Sequence, residues 1–517
     1  MTYPSVARAG FSLLLVTALA VPLGVAHSSP APRASGAPSR DAARDAARYV
    51  DARHAIVPRA LADALLGLAD VRAADARVAS VHAASWKKIP SFARQTKLAC
   101  AACHYQFLEL TPFGRRFKLN GYTLSGLQNI PGRTGGDSTT ETLRLAPIPP
   151  ASAMAIASLT QVRTAVPGTQ NAVTTFPDQL SLFLGGEVTP KVGAFVQFTY
   201  AAPDASIGID NVDLRFASST MLASKELLFG VTLHNNPTVQ DVWNTVPAWG
   251  FPFVSSPVAP APAASALVDG VLGQQVLGLG AYGLWDNLLY AEFTAYRSAP
   301  QGGSQPADST AENTTRNIAP YWRVALQHQF GSTYLMLGSY GVVGELYPTG
   351  VTGSTNRYTD VAGDLQLERP FGQAAMGGPG GVLIVRSTVI HEKQRLDAFF
   401  NAAEPGAANP TNTLTTFRVN ASYQPSGFYD LSLGYFDVTG SRDPLLYPPD
   451  AITGSASGRP NSSGVVGELD VNPWQNVRVG AQYTAYGRFN GGSSSYDGAG
   501  RKASDNNTLY VFTWLVF

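Results

Sequence analysis

The sequence predicts a mostly β protein, a closed transmembrane barrel of about 16 strands preceded by a small helical segment. Three observations support this prediction. From about residue 150 onward, short segments alternate apolar and polar side chains. Tight turns and long polar connections follow one another, and after the N-terminus no uncharged apolar run is long enough for a membrane helix. A chain without such helices can cross a bilayer only as a closed barrel, because the backbone polar groups then have partners.

The alternation of side chains defines two faces. Leu431 and Leu433 alternate with Asp430 and Ser432, and residues 474–487 follow the same pattern. Successive side chains of a strand point to opposite faces, so one face is expected against lipid and the other in a polar lumen. The predicted strands lie near residues 152–163, 179–187, 192–200, 209–217, 225–234, 271–282, 287–297, 319–330, 332–343, 356–367, 380–391, 413–424, 427–438, 461–471, 474–487 and 506–517.

The connections between these strands differ in length. Tight turns such as Pro425-Ser426-Gly427 mostly alternate with long polar segments such as 439–460. Bacterial outer-membrane barrels have an even number of strands, short periplasmic turns and long external loops. The sequence therefore predicts a porin-like barrel at 151–517, with its short turns in the periplasm.

Aromatic residues mark the expected bilayer boundaries and the last strand. Tyr321 and Trp322 are placed for an interfacial aromatic girdle. Residues 509–517 form a final strand with a terminal aromatic residue, an end by which outer-membrane barrels are recognised for insertion. Both faces of this strand are bulky. Phe512 and Trp514 therefore either pack into the lumen or join the interfacial aromatic residues.

The N-terminus predicts export. Arg8 precedes the uncharged run Ala9–Ala26, which ends in small residues of the kind that a signal peptidase requires. We predict a signal peptide at 1–26. An uncleaved membrane anchor is the alternative, because the run is barely long enough to span a bilayer, but Pro22 favours removal. Both readings place the protein in the bacterial envelope.

Both cysteines of the chain lie in the motif Cys100-Ala101-Ala102-Cys103-His104. In this C-x-x-C-H spacing the two thiols add across the vinyl groups of haem, and the histidine becomes the proximal ligand of the iron. The alternatives are a chance occurrence of the five residues or a structural disulfide, but two intervening residues make a strained ring, and nothing then requires His104. The motif predicts one covalent haem c in a monohaem cytochrome c segment at 88–130.

The sixth ligand of the haem iron stays open. Met154, the nearest methionine after the motif, is the predicted distal ligand. His82, His54 and an open or water-ligated site are the alternatives. The choice matters because the axial ligand moves the reduction potential by a large margin.

The haem segment is too small to build an independent core, so we expect it to pack on its haem and on the barrel, in the lumen or at the periplasmic mouth. Four phenylalanines are candidates for shielding the porphyrin faces: Phe92, Phe107, Phe113 and Phe117. Three basic residues are candidates for pairing with the haem propionates: Arg115, Arg116 and Lys118. A solvated basic turn is the alternative for these three residues.

Two further segments complete the predicted organisation. Residues 27–87 form an Ala-, Arg- and Asp-rich lead in which Pro58 opens a plausible amphipathic helix. This helix either docks a periplasmic electron acceptor, plugs the barrel mouth, or is simply solvated. A linker at 131–150 joins the haem segment to the barrel.

Residues 90–96, the haem motif and residues 110–122 resemble the haem segment of the fused outer-membrane monohaem cytochrome-porins, of the ferrous iron oxidase type. Residues 235–253 resemble a long-loop motif of the same family, whereas the lead at 27–87 departs from it. The resemblance implies a cytochrome joined to a 16-stranded porin. It also implies iron:cytochrome c oxidoreductase activity, with electrons passing from extracellular Fe(II) to periplasmic c-type cytochromes. The family's haem-binding roles can be assigned residue by residue only to Cys100, Cys103 and His104.

The chemistry of iron agrees with this expectation, because one haem transfers one electron and Fe(III) formed outside the cell precipitates there. Acidic side chains near the loop rim are candidates for attracting Fe(II): Asp241, Glu345, Asp437 and Asp443. The rival hypotheses are a haem-bearing conduit for another donor or acceptor, and a porin whose haem segment is a plug. A net charge of +1 with 14% charged residues indicates no nucleic-acid partner.

Overall fold

The computed structural model describes residues 90–96, 98–106, 109–124, 130–131, 144–145, 151–201, 206–243, 254–273, 275–299, 307–373, 379–425 and 428–517. The predicted signal peptide at 1–26 and lead at 27–87 lie outside the described residues, as does most of the predicted linker at 131–150.

Sixteen strands in the described part of the chain form one closed antiparallel barrel. They are β1 Ala151–Val162, β2 Val173–Thr189, β3 Val192–Ala201, β4 Ser206–Leu222, β5 Lys225–His234, β6 Val276–Trp285, β7 Leu289–Ser298, β8 Ala319–Phe330, β9 Thr333–Thr349, β10 Asn356–Gln373, β11 Pro379–Arg395, β12 Thr411–Gln424, β13 Tyr429–Gly440, β14 Ser462–Trp474, β15 Val477–Arg488 and β16 Thr508–Val516. Each strand pairs with its neighbours in the sequence, and β16 pairs with β1 to close the cycle. The prediction of about 16 strands is confirmed.

The two rims of the barrel differ as the sequence predicts. Short turns join β2 to β3, β4 to β5, β8 to β9 and β14 to β15, and both chain-terminal strands begin or end at this same rim. The opposite rim has the long connections, including 441–461 and 489–507. We call the two ends the short-turn rim and the long-loop rim.

The strands present apolar side chains outward and polar side chains to the lumen. Leu433 is 64% exposed, whereas Asp430 is 2% exposed. Trp322 also faces outward, but the prediction that Tyr321 joins it in a girdle is wrong, because Tyr321 is fully buried in the lumen. Adjacent residues of a strand point to opposite faces, so both cannot face lipid.

In the described residues before the barrel, the chain forms three short helices: α1 Ser91–Thr96, α2 Cys100–Cys103 and α3 Pro112–Leu119. The start of α3 follows from its sequence. Thr111 is the N-cap and its side chain accepts a hydrogen bond from the Gly114 amide, while Pro112 occupies the first turn. Within the described ranges, none of the helices has both the length and the apolar character needed to cross a membrane.

The connection between β5 and β6 folds back into the lumen. Its described parts are 235–243, 254–273 and 275, and the buried residues Ala266, Leu267, Val268 and Leu272 pack in one core with lumen-facing side chains of several strands. The amide of Leu267 donates to Glu392 on β11 at 2.6 Å, and the amide of Val268 donates to Asp360 on β10 at 2.7 Å. These bonds hold the connection against the opposite wall.

Candidate functional site

The two cysteines and the histidine of the motif share one helical turn. The amide of His104 donates to the carbonyl of Cys100 at 2.9 Å, which closes the turn. Both thiols are free and partly exposed. This arrangement presents two sulfur nucleophiles and an imidazole on one short stretch of backbone, as attachment of haem c requires.

A close backbone contact joins the turn of the motif to helix α3. A side chain at Gly114 would place its Cβ 2.1 Å from the carbonyl oxygen of Cys103. The hydroxyl of Thr111 donates to the carbonyl of Ala102 at 2.7 Å. Helix α3 therefore packs directly on the motif, and only glycine permits this approach.

Burial sets the protonation of the motif. Burial lowers the pKa of His104 to about 4, so its imidazole is neutral near pH 7. Neutral imidazole is the form that ligates a metal. Burial, followed by the charge of Cys100, raises the pKa of Cys103 to about 11, so this sulfur is a thiol rather than a thiolate.

The segment that contains the motif lies across the lumen, and we call residues 90–124 the plug segment. It contacts wall residues on opposite sides of the barrel, Gly185 on β2 and Glu368 on β10, and it also contacts Arg478 on β15. Two wall partners of the plug segment, Glu226 and Arg478, each lie within three residues of a short turn. The plug segment therefore occupies the lumen at the short-turn rim.

Two buried ion pairs join the centre of the plug segment to neighbouring strands. Arg115 pairs with Glu368 on β10, and Arg386 on β11 pairs with Glu109 of the plug segment. All four side chains are at most 4% exposed. The hydroxyl of Tyr105, next to the motif histidine, also donates to Glu368 at 2.7 Å. These contacts fix the motif relative to β10 and β11.

The C-terminal end of the plug segment meets the wall on the other side. The hydroxyl of Tyr122 donates to Asp213 at 2.6 Å, and Arg215 donates to the same carboxylate at 2.7 Å. The hydroxyl of Tyr282 on β6 donates to the carbonyl of Leu119. Wall side chains thus supply several polar partners of this small segment.

The three basic residues predicted to pair with haem propionates have partners within the protein, and their pairing with propionates stays a prediction. Arg115 is paired with Glu368, Arg116 is paired with Glu226, and the ammonium of Lys118 donates to the carbonyl of Asp241 at 2.9 Å. Their partners are strand and loop groups whose positions could not be predicted from local sequence. These three residues hold the plug segment in the barrel.

Two phenylalanines of the plug segment, Phe92 and Phe117, pack in a cluster of aromatic rings. Phe92 packs edge to face with Phe117 at 5.3 Å between ring centroids, and it stacks with Tyr122 at 5.7 Å and with Phe195 of β3 at 6.4 Å. These rings form a bridge from α1 to the wall. Phe107 lies outside the described residues.

Met154 lies on the lumen face of β1 and is 3% exposed. It belongs to an apolar cluster with Phe183, Phe512 and Trp514. Phe512 and Trp514 of the last strand both point into the lumen, which is one of the two arrangements that the sequence allowed. Met154 is thus inside the barrel at the short-turn rim, on the same side of the wall as the plug segment. Its role as distal ligand stays a prediction.

Three of the four acidic residues predicted to attract Fe(II) form contacts within the protein. Asp241 is buried beside the plug segment, and its side chain accepts the Trp243 amide at 2.9 Å. Asp443 accepts the amides of Ala408 and Leu446 at 2.8 and 3.0 Å. Asp437 pairs with Arg488. Across the described ranges, no three His, Cys, Asp or Glu side chains form a cluster suited to a metal ion.

The infolded β5–β6 connection also belongs to the site, and its contacts were not predicted from the sequence. Trp243 packs in one cluster with Leu119 of the plug segment, and its indole donates to the Tyr334 hydroxyl at 2.8 Å. Asp269 pairs with Arg418 on β12. The connection therefore contacts both the plug segment and the far wall. No local pattern in the sequence indicates these partners.

Comparison with known proteins gives structural neighbours but no family. No family model matches the chain, and no curated protein matches it. OmpT of Vibrio cholerae is 12% identical with a TM-score of 0.37, over 71% of this chain and 97% of that chain. The anion-selective porin from Comamonas acidovorans is 11% identical with a TM-score of 0.39, over 71% and 98%. The outer-membrane channel DcaP of Acinetobacter baumannii is 11% identical with a TM-score of 0.39, over 71% and 96%.

Proposed function

We propose that this protein is a bacterial outer-membrane electron-transfer protein in which one haem c is attached to a plug inside the barrel. The observation that supports it most directly is the position of the motif. Cys100, Cys103 and His104 share one turn, and this turn belongs to the segment that crosses the lumen at the short-turn rim.

The outward surface of the barrel supports a place in a membrane. Large apolar side chains such as Leu326, Leu337 and Val361, all more than half exposed, face away from the lumen. Burial of such a belt in lipid is favourable, whereas its exposure to water is not. With short turns in the periplasm, as in outer-membrane barrels, the plug segment lies at the periplasmic mouth.

The residues of the chain fit haem c. The two free thiols supply the attachment points, and the neutral imidazole of His104 supplies the proximal ligand. When bound, the haem would accept and donate one electron at a time. The plug contacts with Glu368 and Arg386 hold this motif in one position, and the exposed residues Ala99 and Ala101 leave its surroundings accessible to a partner.

We propose extracellular Fe(II) as the electron donor and a periplasmic c-type cytochrome as the acceptor. The one-electron stoichiometry of a single haem matches the Fe(II)/Fe(III) couple, and the family resemblance of residues 90–122 points to the same reaction. The filled lumen favours electron transfer over passive diffusion, because the plug segment and the infolded connection both occupy the space that a solute would cross.

Stopped-flow spectroscopy tests the proposal. The oxidised protein in detergent is mixed with Fe(II), and the haem absorption is followed beside a Cys100→Ala/Cys103→Ala control without covalent haem. We expect rapid reduction by Fe(II) that is absent from the control. Reduction by dithionite but not by Fe(II) would exclude iron as the donor and leave a conduit for another donor. A protein with no covalent haem and rapid sugar diffusion would support a porin instead.

A further inference from the structure

The short-turn rim has a notch where the first and last strands of the barrel meet, and residues from both faces of the wall line it. The cavity measures about 520 Å³. Its apolar lining includes Ala153 on β1, Leu182 on β2 and Phe517 after β16. Ala153 and Leu182 are register partners, and the Ala153 amide donates to the Phe517 carbonyl at 2.7 Å. These three residues therefore follow one another across neighbouring strands on one face.

This face of the notch is the lipid-facing one. Leu182 is 45% exposed and Phe517 is 51% exposed, while Ser152 and Met154, the neighbours of Ala153 on β1, are buried toward the lumen. An exposed leucine and phenylalanine on an outward barrel face are suited to acyl chains rather than to water.

The back of the notch is polar and cationic. Arg94 of α1 donates to the carbonyl of Ala151 at the start of β1, so a plug residue reaches the rim. Ser152 and Asn476 line the same cavity. The guanidinium of arginine binds phosphate through several N–H donors. A cation, two small polar side chains and an apolar outer wall form a site for an amphiphile with an anionic head.

We propose that this notch binds the phosphate headgroup of an anionic phospholipid from the periplasmic leaflet. The assignment rests on the proposed orientation in the outer membrane, which places the short-turn rim at that leaflet. The cavity volume lies within the range of about 300–1,000 Å³ typical of small-molecule sites, enough for a headgroup. The exposed side chain of Leu182 would let the acyl chains continue along the barrel. A haem propionate offers the same chemistry, but the exposed apolar lining formed by Leu182 and Phe517 suits acyl chains.

The bound lipid would have a structural consequence. It would connect α1, the first described helix of the plug segment, to the bilayer at the seam where β16 closes on β1. The phosphate would contact Arg94, and the acyl chains would cover Leu182 and Phe517.

Native mass spectrometry of the full chain tests the proposal, with delipidated protein titrated with phosphatidylglycerol or with soluble glycerol phosphate. We expect one tightly retained lipid per wild-type barrel. Arg94→Gln, which removes the cation, and Ala153→Phe, which fills the notch, should each weaken retention at least tenfold. Arg369→Gln is the matched control, because Arg369 is exposed at the same rim but lies over Phe371 at 5.5 Å, away from the notch. Heat-modifiable gel migration verifies that each barrel is folded.

Three results would overturn the proposal. Equal lipid retention by wild type, Arg94→Gln and Ala153→Phe would show that lipid binds elsewhere. Glycerol phosphate that competes as strongly as the lipid would assign the site to a free anion. Retention by the Cys100→Ala/Cys103→Ala variant alone would assign the notch to a haem propionate. None of these readouts depends on electron transfer, so they are separate from the test with Fe(II).

Discussion

Arg386 on the barrel wall forms a buried ion pair with Glu109, five residues after the motif histidine. On the adjacent strand, Glu368 pairs with Arg115 in the opposite sense, with the positive charge on the plug segment. Because the two pairs have reversed polarity, a shifted plug segment would bring like charges together. The two pairs therefore define a single position for the motif in the lumen.

We predict that Arg386→Met loosens the plug segment. Burial raises the pKa of Glu109, and the charge of Arg386 opposes this effect. Removing the arginine leaves a buried carboxyl without its cation, at a cost of about 3–5 kcal/mol. The measurement is the denaturant concentration at which the plug segment becomes sensitive to protease. The Glu109→Leu/Arg386→Met double variant should recover most of the loss, and a double variant as unstable as the single one would contradict this account.

Gly114→Ala should lower the yield of covalent haem at least severalfold. The new Cβ would lie 2.1 Å from the carbonyl oxygen of Cys103, so the turn from Cys100 to Cys103 must move. Gly467→Ala is the matched control, because a Cβ there meets no atom within 4 Å among the described residues. The ratio of haem to protein absorbance in purified samples measures the effect. Equal ratios for the two variants would show that helix α3 does not support the motif.

We expect the reconstituted barrel to pass small sugars poorly. The plug segment fills the short-turn rim, and the infolded connection is held to the far wall through Leu267, Val268 and Asp269. Liposome swelling in arabinose should match that of empty liposomes. Arg418→Ala, which removes the partner of Asp269, should leave swelling low because the plug segment still closes the lumen. Swelling of the wild type at the rate of an open porin would contradict the filled lumen.

The long-loop rim should loosen in acid through Asp443. Burial alone would raise the pKa of this carboxyl, but hydrogen bonds from Ala408, Asn412, Leu446 and Asn409 outweigh burial and hold the pKa below its usual range. A lowered pKa in the folded state means that the carboxylate stabilises the loops fully above about pH 4, and that this contribution is lost as pH falls through the folded pKa.

Hydrogen exchange between pH 2 and 6 tests this prediction. Amides 408–409 and 445–446 should lose protection, measured against the intrinsic exchange rate at each pH, only in the acidic part of this range, and Asp443→Asn should remove the pH dependence of their protection. Asp450→Asn is the control, because the Asp450 side chain accepts a hydrogen bond from Thr453 on the exposed loop surface. Wild-type protection factors that do not change with pH would show that Asp443 does not hold the loops.

The barrel could be predicted from sequence because its signals are local. Alternation such as Leu431 and Leu433 against Asp430 identifies the strands and their outward face, and turn residues identify the short connections. The strand lengths were harder to predict. β10 runs over Asn356–Gln373, well beyond the predicted 356–367, because a strand continues for as long as its neighbour pairs with it.

The candidate site could be predicted only in part, for a different physical reason. The C-x-x-C-H motif is contiguous, so its chemistry is visible in the sequence. The partners of Arg115, Lys118 and Glu109 lie more than 100 residues away, and only the closed barrel brings them together. The infolded connection was missed for the same reason, since Val268 meets Asp360 through tertiary structure alone.

The most direct test of the central claim is the pyridine haemochrome spectrum of the protein after denaturation in detergent and extraction with acidified acetone. Free haem is removed by this treatment, whereas haem c stays attached through its thioether bonds. We predict one covalent haem per chain, which is lost in the Cys100→Ala/Cys103→Ala variant. A wild-type chain that retains no haem, when expressed with a functioning cytochrome c maturation system, would contradict it.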